Sequence, residues 1–122
     1  MALPESDEQL LLLHNPRCSK SRATLALLEE RGAKFEVREY LSDPLSREEL
    51  VGLRGRLGRP ARQWVRHKEA AFGEASLSDQ SSEEALLDAV AAHPILMERP
   101  ILVRGQRAAV GRPPEDVLPL LD

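Results

Sequence analysis

The chain has 122 residues, enough for one domain with a buried core, and its 42% hydrophobic and 30% charged residues are ordinary for a soluble globular protein. Seventeen basic against twenty acidic residues leave a net charge of −3, which argues against a general nucleic-acid binder, because such binding rests on a basic excess. No apolar run approaches the roughly 18 residues of a membrane span, and the acidic, polar stretch from Met1 to Gln9 lacks the positive region of a signal peptide. A single cysteine removes any intrachain disulfide framework. A cytoplasmic monomer is expected, with neither membrane nor nucleic acid among its partners.

Leu10 to Leu13 is a continuous apolar run that stops at His14-Asn15-Pro16, the pattern of a short buried strand. Ser19 to Glu30 then places Ala23, Leu25, Ala26, Leu27 and Leu28 at helical spacing, with Arg31 in the last turn and Gly32 as a stop. Phe35-Glu36-Val37-Arg38-Glu39-Tyr40 alternates apolar and polar, which predicts a second strand and a parallel βαβ unit. From about 42 to 93 the pattern is helical. Ser46-Arg47-Glu48-Glu49 and Ser81-Ser82-Glu83-Glu84 both match the capping box. Leu50, Leu53 and Leu57 form a stripe on one helix, and Leu86, Leu87 and Val90 on another. Gly58-Arg59-Pro60 separates the first from a shorter segment around Ala61 to Lys68.

The end of the chain returns to strands, Ile101 to Val103 and Ala108 to Val110, joined as a hairpin through Gly105. Pro113-Pro114-Glu115-Asp116 opens a last helix, which Pro119 is expected to shorten or kink. No repeat, low-complexity segment or long linker divides the chain, so one domain over residues 1–122 is expected, with a helical insertion at about 42–93. The order β-α-β, helices, β-β-α predicts an α/β fold, a thioredoxin-like three-layer sandwich with a mixed sheet.

The segment His14-Asn15-Pro16-Arg17-Cys18-Ser19-Lys20-Ser21-Arg22 joins strand to helix. A cysteine there faces free backbone N–H groups and the positive end of the helix dipole. Arg17, Lys20 and Arg22 add cations within four residues of it. All of these favour thiolate over thiol and lower the pKa from about 8.5 into a range of roughly 3.5 to 7.5. The same N–H groups bind oxyanions, so a nucleophile and an anion cradle coincide. A buried, inert cysteine is the commoner role, but the strand-to-helix position among three cations favours the reactive one. Spacing excludes other chemistries. A phosphatase loop needs an arginine six residues after the cysteine, where Thr24 stands; a dithiol needs a second cysteine where Ser21 stands. A zinc site needs clustered ligands, whereas His14, His67 and His93 are scattered, so no metal is expected. Three further arginines have surroundings fixed by proline, glycine or tryptophan: Arg66 after Trp64-Val65, Arg99 before Pro100, and Arg112 between Gly111 and Pro113-Pro114. Nothing in the spacing alone makes those three converge.

Cys18-Ser19-Lys20-Ser21-Arg22 behind His14-Asn15-Pro16 resembles the active-site segment of the glutaredoxin-coupled arsenate reductases, an ArsC-like family. His93-Pro94-Ile95-Leu96-Met97-Glu98-Arg99-Pro100-Ile101 and Gly111-Arg112-Pro113-Pro114 look like that family's two later motifs. The resemblance runs from about Leu10 to Leu121 and is closest to a small-protein branch. It implies that Cys18 is the nucleophile, that Arg66, Arg99 and Arg112 bind the substrate oxyanion, and that Arg99–Pro100 corresponds to the cis-proline element of thioredoxin-like folds. His14 and Ser21, with Arg22, are expected to tune the thiolate. Arsenate is the implied substrate and arsenite the product. Glutathione is the co-substrate, glutaredoxin the partner that clears a mixed disulfide, and no cofactor is bound. Lys20 stands where other members carry an uncharged residue, and Pro119 falls inside the last helix. Two other readings use the same fold: a thiol oxidoreductase acting on glutathione mixed disulfides, and a regulatory module that binds RNA polymerase. The first needs Cys18 but not three oxyanion-binding arginines; the second commonly carries the second cysteine that Ser21 replaces.

Overall fold

The computed structural model describes residues 2–122. The chain forms two compact units, one of residues up to Asp43 together with Arg99–Asp122, the other of Pro44–Glu98. Among the described residues no helix is long and apolar enough to cross a membrane.

The first unit is built on strands β1 (Leu10–His14), β2 (Glu36–Glu39), β3 (Ile101–Arg104) and β4 (Arg107–Val110), in the spatial order β2-β1-β3-β4. β1 runs parallel to β2 and antiparallel to β3, and β3 antiparallel to β4, so the sheet is mixed. Helix α1 (Ser19–Glu30) is the crossover from β1 to β2. With the terminal ββ-helix segment this is the thioredoxin-like arrangement. Register explains the continuous apolar run of β1. Leu12 stands opposite Leu102, and with Leu28, Val117 and Leu120 it forms one core cluster, while Leu11 and Leu13, on the other face, are buried as well. A strand buried on both faces has no polar alternation to display. Each such leucine contributes about 1.5–3 kcal/mol of burial.

α1 ends as expected. The N–H of Gly32 (φ 67) donates to the Glu29 carbonyl and that of Ala33 to Leu28, the paired bonds of a Schellman motif. The β3–β4 hairpin turns through Gly105 (φ 55), where a Cβ would also come within 3.0 Å of the Asp7 backbone nitrogen. Two local expectations change. β2 is shorter than Phe35–Tyr40 and its burial is inverted: Arg38 is buried and Val37 is 37% exposed. β2 is an edge strand, and the Arg38 Nε donates to the Asp43 carbonyl at 2.9 Å and lies 3.3 Å from its carboxylate, so the inward guanidinium is satisfied. The last helix is a 3-10 helix, Pro114–Leu121, and it continues through Pro119. Its buried residues Val117 and Leu120 are three apart, one turn of a 3-10 helix.

The second unit contains α2 (Arg47–Leu57), α3 (Ala70–Glu74) and α4 (Glu83–Ala92), with 3-10 turns at Ala61–Gln63 and Pro94–Leu96. An isolated antiparallel bridge pairs Val65 with Met97, so this segment is not helical throughout. Trp64 is fully buried, and its indole N–H donates to the Arg59 carbonyl at 3.2 Å. Ser46 caps α2 with both bonds of the capping box, and Gly58 (φ 66) ends it. The second expected capping box does not form. Ser82 is the cap and accepts from the Ala85 N–H, which puts alanine at the position a box gives to glutamate. The Ser81 hydroxyl instead accepts from the Ser78 N–H in the preceding turn, and Glu83 accepts from the Ala61 N–H at 2.7 Å.

Ser46→Ala removes the bond from the Glu49 N–H to the Ser46 hydroxyl, leaving only the reciprocal bond from the residue-46 N–H to the Glu49 carboxylate, and is expected to lower stability by about 1 kcal/mol. Chemical denaturation checks this through a lowered midpoint at unchanged slope.

Candidate active site

The site of the first unit is assembled where β1 ends. Pro16 cannot donate a backbone hydrogen bond, and Asn15 turns the chain beside it: its side-chain Oδ1 accepts from the Arg17 N–H at 3.0 Å, and its carbonyl accepts from the Cys18 N–H at 3.0 Å. Cys18 is thereby the N-cap of α1, with extended backbone (φ −97, ψ 125), a partly exposed free thiol and no acidic residue in the turn that follows. The loop is pinned from inside by Ser21, which is fully buried. Its Oγ accepts from the Asn15 N–H at 3.0 Å and lies 2.6 Å from His14 Nδ1.

Burial pushes the His14 imidazole toward its neutral form; Glu39 opposes this and Arg22 reinforces it, so its pKa falls below the ordinary histidine value. We assign the neutral ring with Nδ1 unprotonated, accepting a hydrogen bond from the Ser21 hydroxyl. The Ser21 oxygen then both accepts from the Asn15 N–H and donates to His14 Nδ1.

Burial alone would raise the Cys18 pKa. It is outweighed by the Ser21 N–H, the Arg99 guanidinium and the Lys20 N–H, with the Arg99 charge adding to them, so the pKa falls below the ordinary thiol value. The positive end of α1 and one arginine from the start of β3 therefore stabilise the thiolate. The cations adjacent in sequence are placed differently. Arg17 and Lys20 are exposed, and the Arg22 guanidinium donates to the Pro16 carbonyl at 2.9 Å, which braces the loop.

Arg99 and Arg112 are brought together by the β3–β4 ladder. Ile101 pairs with Val110, and one step outward the Gly111 N–H donates to the Pro100 carbonyl at 2.9 Å. Arg112 Nη1 donates to the Arg99 carbonyl at 3.0 Å. Both Arg99–Pro100 and Arg112–Pro113 are cis; the first was expected and the second was not. His14, Cys18, Ser21, Arg22, Arg99 and Arg112 all belong to this unit.

Arg66 belongs to the second unit. Its N–H donates to the Leu96 carbonyl, and its guanidinium is ion-paired to Glu69 at 3.0 Å and to Glu98 at 3.5 Å. Sequence reasoning passed over these two glutamates, and also Asn15, Thr24 and Gly111. The Asn15-Pro16 pair carried a turn signal; the others carried none. Among the described residues no group of three or more His, Cys, Asp and Glu side chains is placed to hold a metal ion.

What this arrangement offers chemically is a nucleophilic thiolate with fixed cationic and N–H donors around it. The thiol should therefore titrate below the ordinary thiol range. The rate of Cys18 alkylation by iodoacetamide, followed against pH, should reach its plateau at lower pH than for a free cysteine. In Arg99→Ala the inflection should move up, because that change removes both a hydrogen bond to the sulfur and a positive charge.

The ArsC family model matches residues 13–120, a span that includes Cys18, Arg66, Arg99 and Arg112. The uncharacterized protein YfgD of Escherichia coli K12 is 48% identical over 116 residues, covering 93% of this chain and 98% of that protein. An arsenate reductase of Neisseria meningitidis serogroup A is 46% identical over 111 residues, or 89% of this chain and 95% of its own length. Among solved structures, an arsenate reductase from Vibrio cholerae aligns with a TM-score of 0.87 at 44% identity, over 98% of this chain and 99% of that one. A match over nearly the whole chain, in sequence and in fold, fixes the kinship: this protein is a member of the ArsC family.

Proposed function

We propose that the protein is an oxidoreductase that reduces arsenate to arsenite, with Cys18 as its nucleophile. The observation that carries this reading is the placement of Arg99 beside a thiolate that is already favoured by the start of α1. Arsenate is an anion at neutral pH and repels an anionic nucleophile. A guanidinium stays charged at every physiological pH, and its fork of donors matches the oxygens of a tetrahedral anion. Relatives at 40% and 46% identity that are named arsenate reductases support the choice of substrate.

In the proposed sequence the Cys18 sulfur forms a bond to arsenic, and one arsenic–oxygen bond breaks to release water. Arg99 and Arg112 hold the remaining oxygens. The chain has one cysteine, so the next thiol comes from outside. Glutathione attacks the Cys18 sulfur, the sulfur–arsenic bond breaks, and its electron pair stays with arsenic, which leaves as arsenite. Two sulfurs have then lost the two electrons that arsenic gained, and they remain joined as a mixed disulfide. Glutaredoxin attacks that disulfide and returns Cys18 as thiolate. His14 takes no proton in this scheme. It orients the loop through Ser21, and a cytoplasmic setting supplies the glutathione.

The test is NADPH consumption by the purified protein with glutathione, glutaredoxin and glutathione reductase, with and without arsenate. Arsenate-dependent oxidation should appear and vanish in Cys18→Ser. A folded protein with a reactive thiol and no such oxidation overturns the reading. Arg99→Ala should retain the fold and lose about 10²–10³ in kcat/KM, the magnitude seen when one positioned donor to a developing anion is removed.

A further inference from the structure

Arg99 and Arg112 ride on one small piece of backbone. Gly111 is bonded to Pro100 and Arg112 to Arg99, so the pairs 99–100 and 111–112 move as one body. Cys18 rides on a different body, α1. The buried side of α1 is formed by Ser21, Thr24 and Leu28, and of these Thr24 meets the arginine-bearing body directly. A Cβ on Gly111 would lie 2.8 Å from Thr24 Oγ1, 3.4 Å from Thr24 Cγ2 and 3.0 Å from Pro100 Cγ. The Thr24 hydroxyl is held in place, since it donates to the Lys20 carbonyl at 2.9 Å. Gly111 does not have a positive φ, so its backbone would accept alanine; only the space forbids it.

We propose that the Gly111–Thr24 contact is the positioning contact of this site, with glycine required at 111 so that α1 can close onto Pro100 and bring Cys18 within reach of Arg99 and Arg112. Thr24 and Gly111 are positioning residues and touch no reacting atom. A methyl group at 111 must push the two bodies apart, because packed interiors transmit such a shift rather than absorb it. Displacements of this size matter, because a misplacement of about 1 Å can cost on the order of 100-fold in rate.

As it bears on arsenate, the proposal rests on the reading above; as it bears on the thiol, it does not. The experiment is therefore a cycle of the parent protein, Gly111→Ala, Thr24→Ala and the double variant, each checked for folding by circular dichroism. The first readout is the pH inflection of Cys18 alkylation by iodoacetamide, and the second is kcat/KM for arsenate. Gly111→Ala should move the inflection up toward that of a free thiol and lower kcat/KM by about tenfold or more. The same change made in the Thr24→Ala background should move the inflection less, because the new methyl occupies the space that the threonine side chain left. A parent-like inflection in Gly111→Ala, or a shift as large in the double variant as in the single, overturns the proposal. If Gly111→Ala alone does not fold, a folded double variant with a parent-like inflection supports it, and a double variant that also fails to fold overturns it. A parent protein inactive toward arsenate removes the reductase reading and leaves the alkylation cycle as a complete test.

Discussion

A single buried hydroxyl organises the site. Ser21 lies one turn into α1, yet its oxygen reaches back to the Asn15 N–H and to His14 at the end of β1. Between those anchors the chain must pass from sheet to helix in four residues, Asn15 to Cys18, so that Cys18 caps a helix that begins at Ser19. The direction of the N–H groups that face the sulfur follows from that constraint, as does the side from which an arginine can approach. An unsatisfied buried hydroxyl or imidazole costs on the order of 1–3 kcal/mol, which favours holding Ser21 Oγ between the Asn15 N–H and His14 Nδ1. The thiolate inherits its surroundings from a network in which it takes no part.

The sheet supplies the other half. β3 pairs with β1 although about ninety residues separate them in the chain, and that pairing carries Arg99 to the end of the sheet where Cys18 stands. The second unit is inserted at this point of the sequence, after Asp43 and before Arg99. Within it, the Val65–Met97 bridge and the Arg66 ion pairs hold one arginine against Glu98, the residue that precedes Arg99. The Arg66 guanidinium already faces two carboxylates, so any added anion competes with resident ones for it.

Much of the fold was legible in the residues because local rules and tertiary context agreed. The run Leu10–Leu13, the Gly32 stop, the capping box at Ser46 and the turn at Gly105 each specify one structure, and each forms. The readings that changed are those in which a neighbour distant in sequence decides the outcome. Arg38 faces inward because Asp43 receives it on an edge strand, and no alternation rule anticipates that. Ser81 matched the capping motif, but a turn from Ser78 had a competing use for its hydroxyl. The reactive position of Cys18 could be read from its place between strand and helix. Its principal cationic partner could not, because Arg17, Lys20 and Arg22 are near in sequence whereas Arg99 is near in space. The close approach of Gly111 to Thr24 was equally silent, since a glycine needed for want of room leaves no mark in a single sequence.

One consequence follows from Cys18 standing at the N-cap with no side-chain oxygen there to accept from the helix. Serine, threonine or aspartate usually neutralises the open N–H groups of a first turn, and here a negative sulfur does so instead. A disulfide bond to that sulfur withdraws the charge and leaves the start of α1 without its counterweight, whereas a bound oxyanion would bring its own. The helix is therefore more stable with the sulfur free than with it in a disulfide. The mixed disulfide is the less comfortable state for the fold, so its reduction is favoured from within the protein, and the helix acts as a spring that pushes the sulfur back to the thiolate.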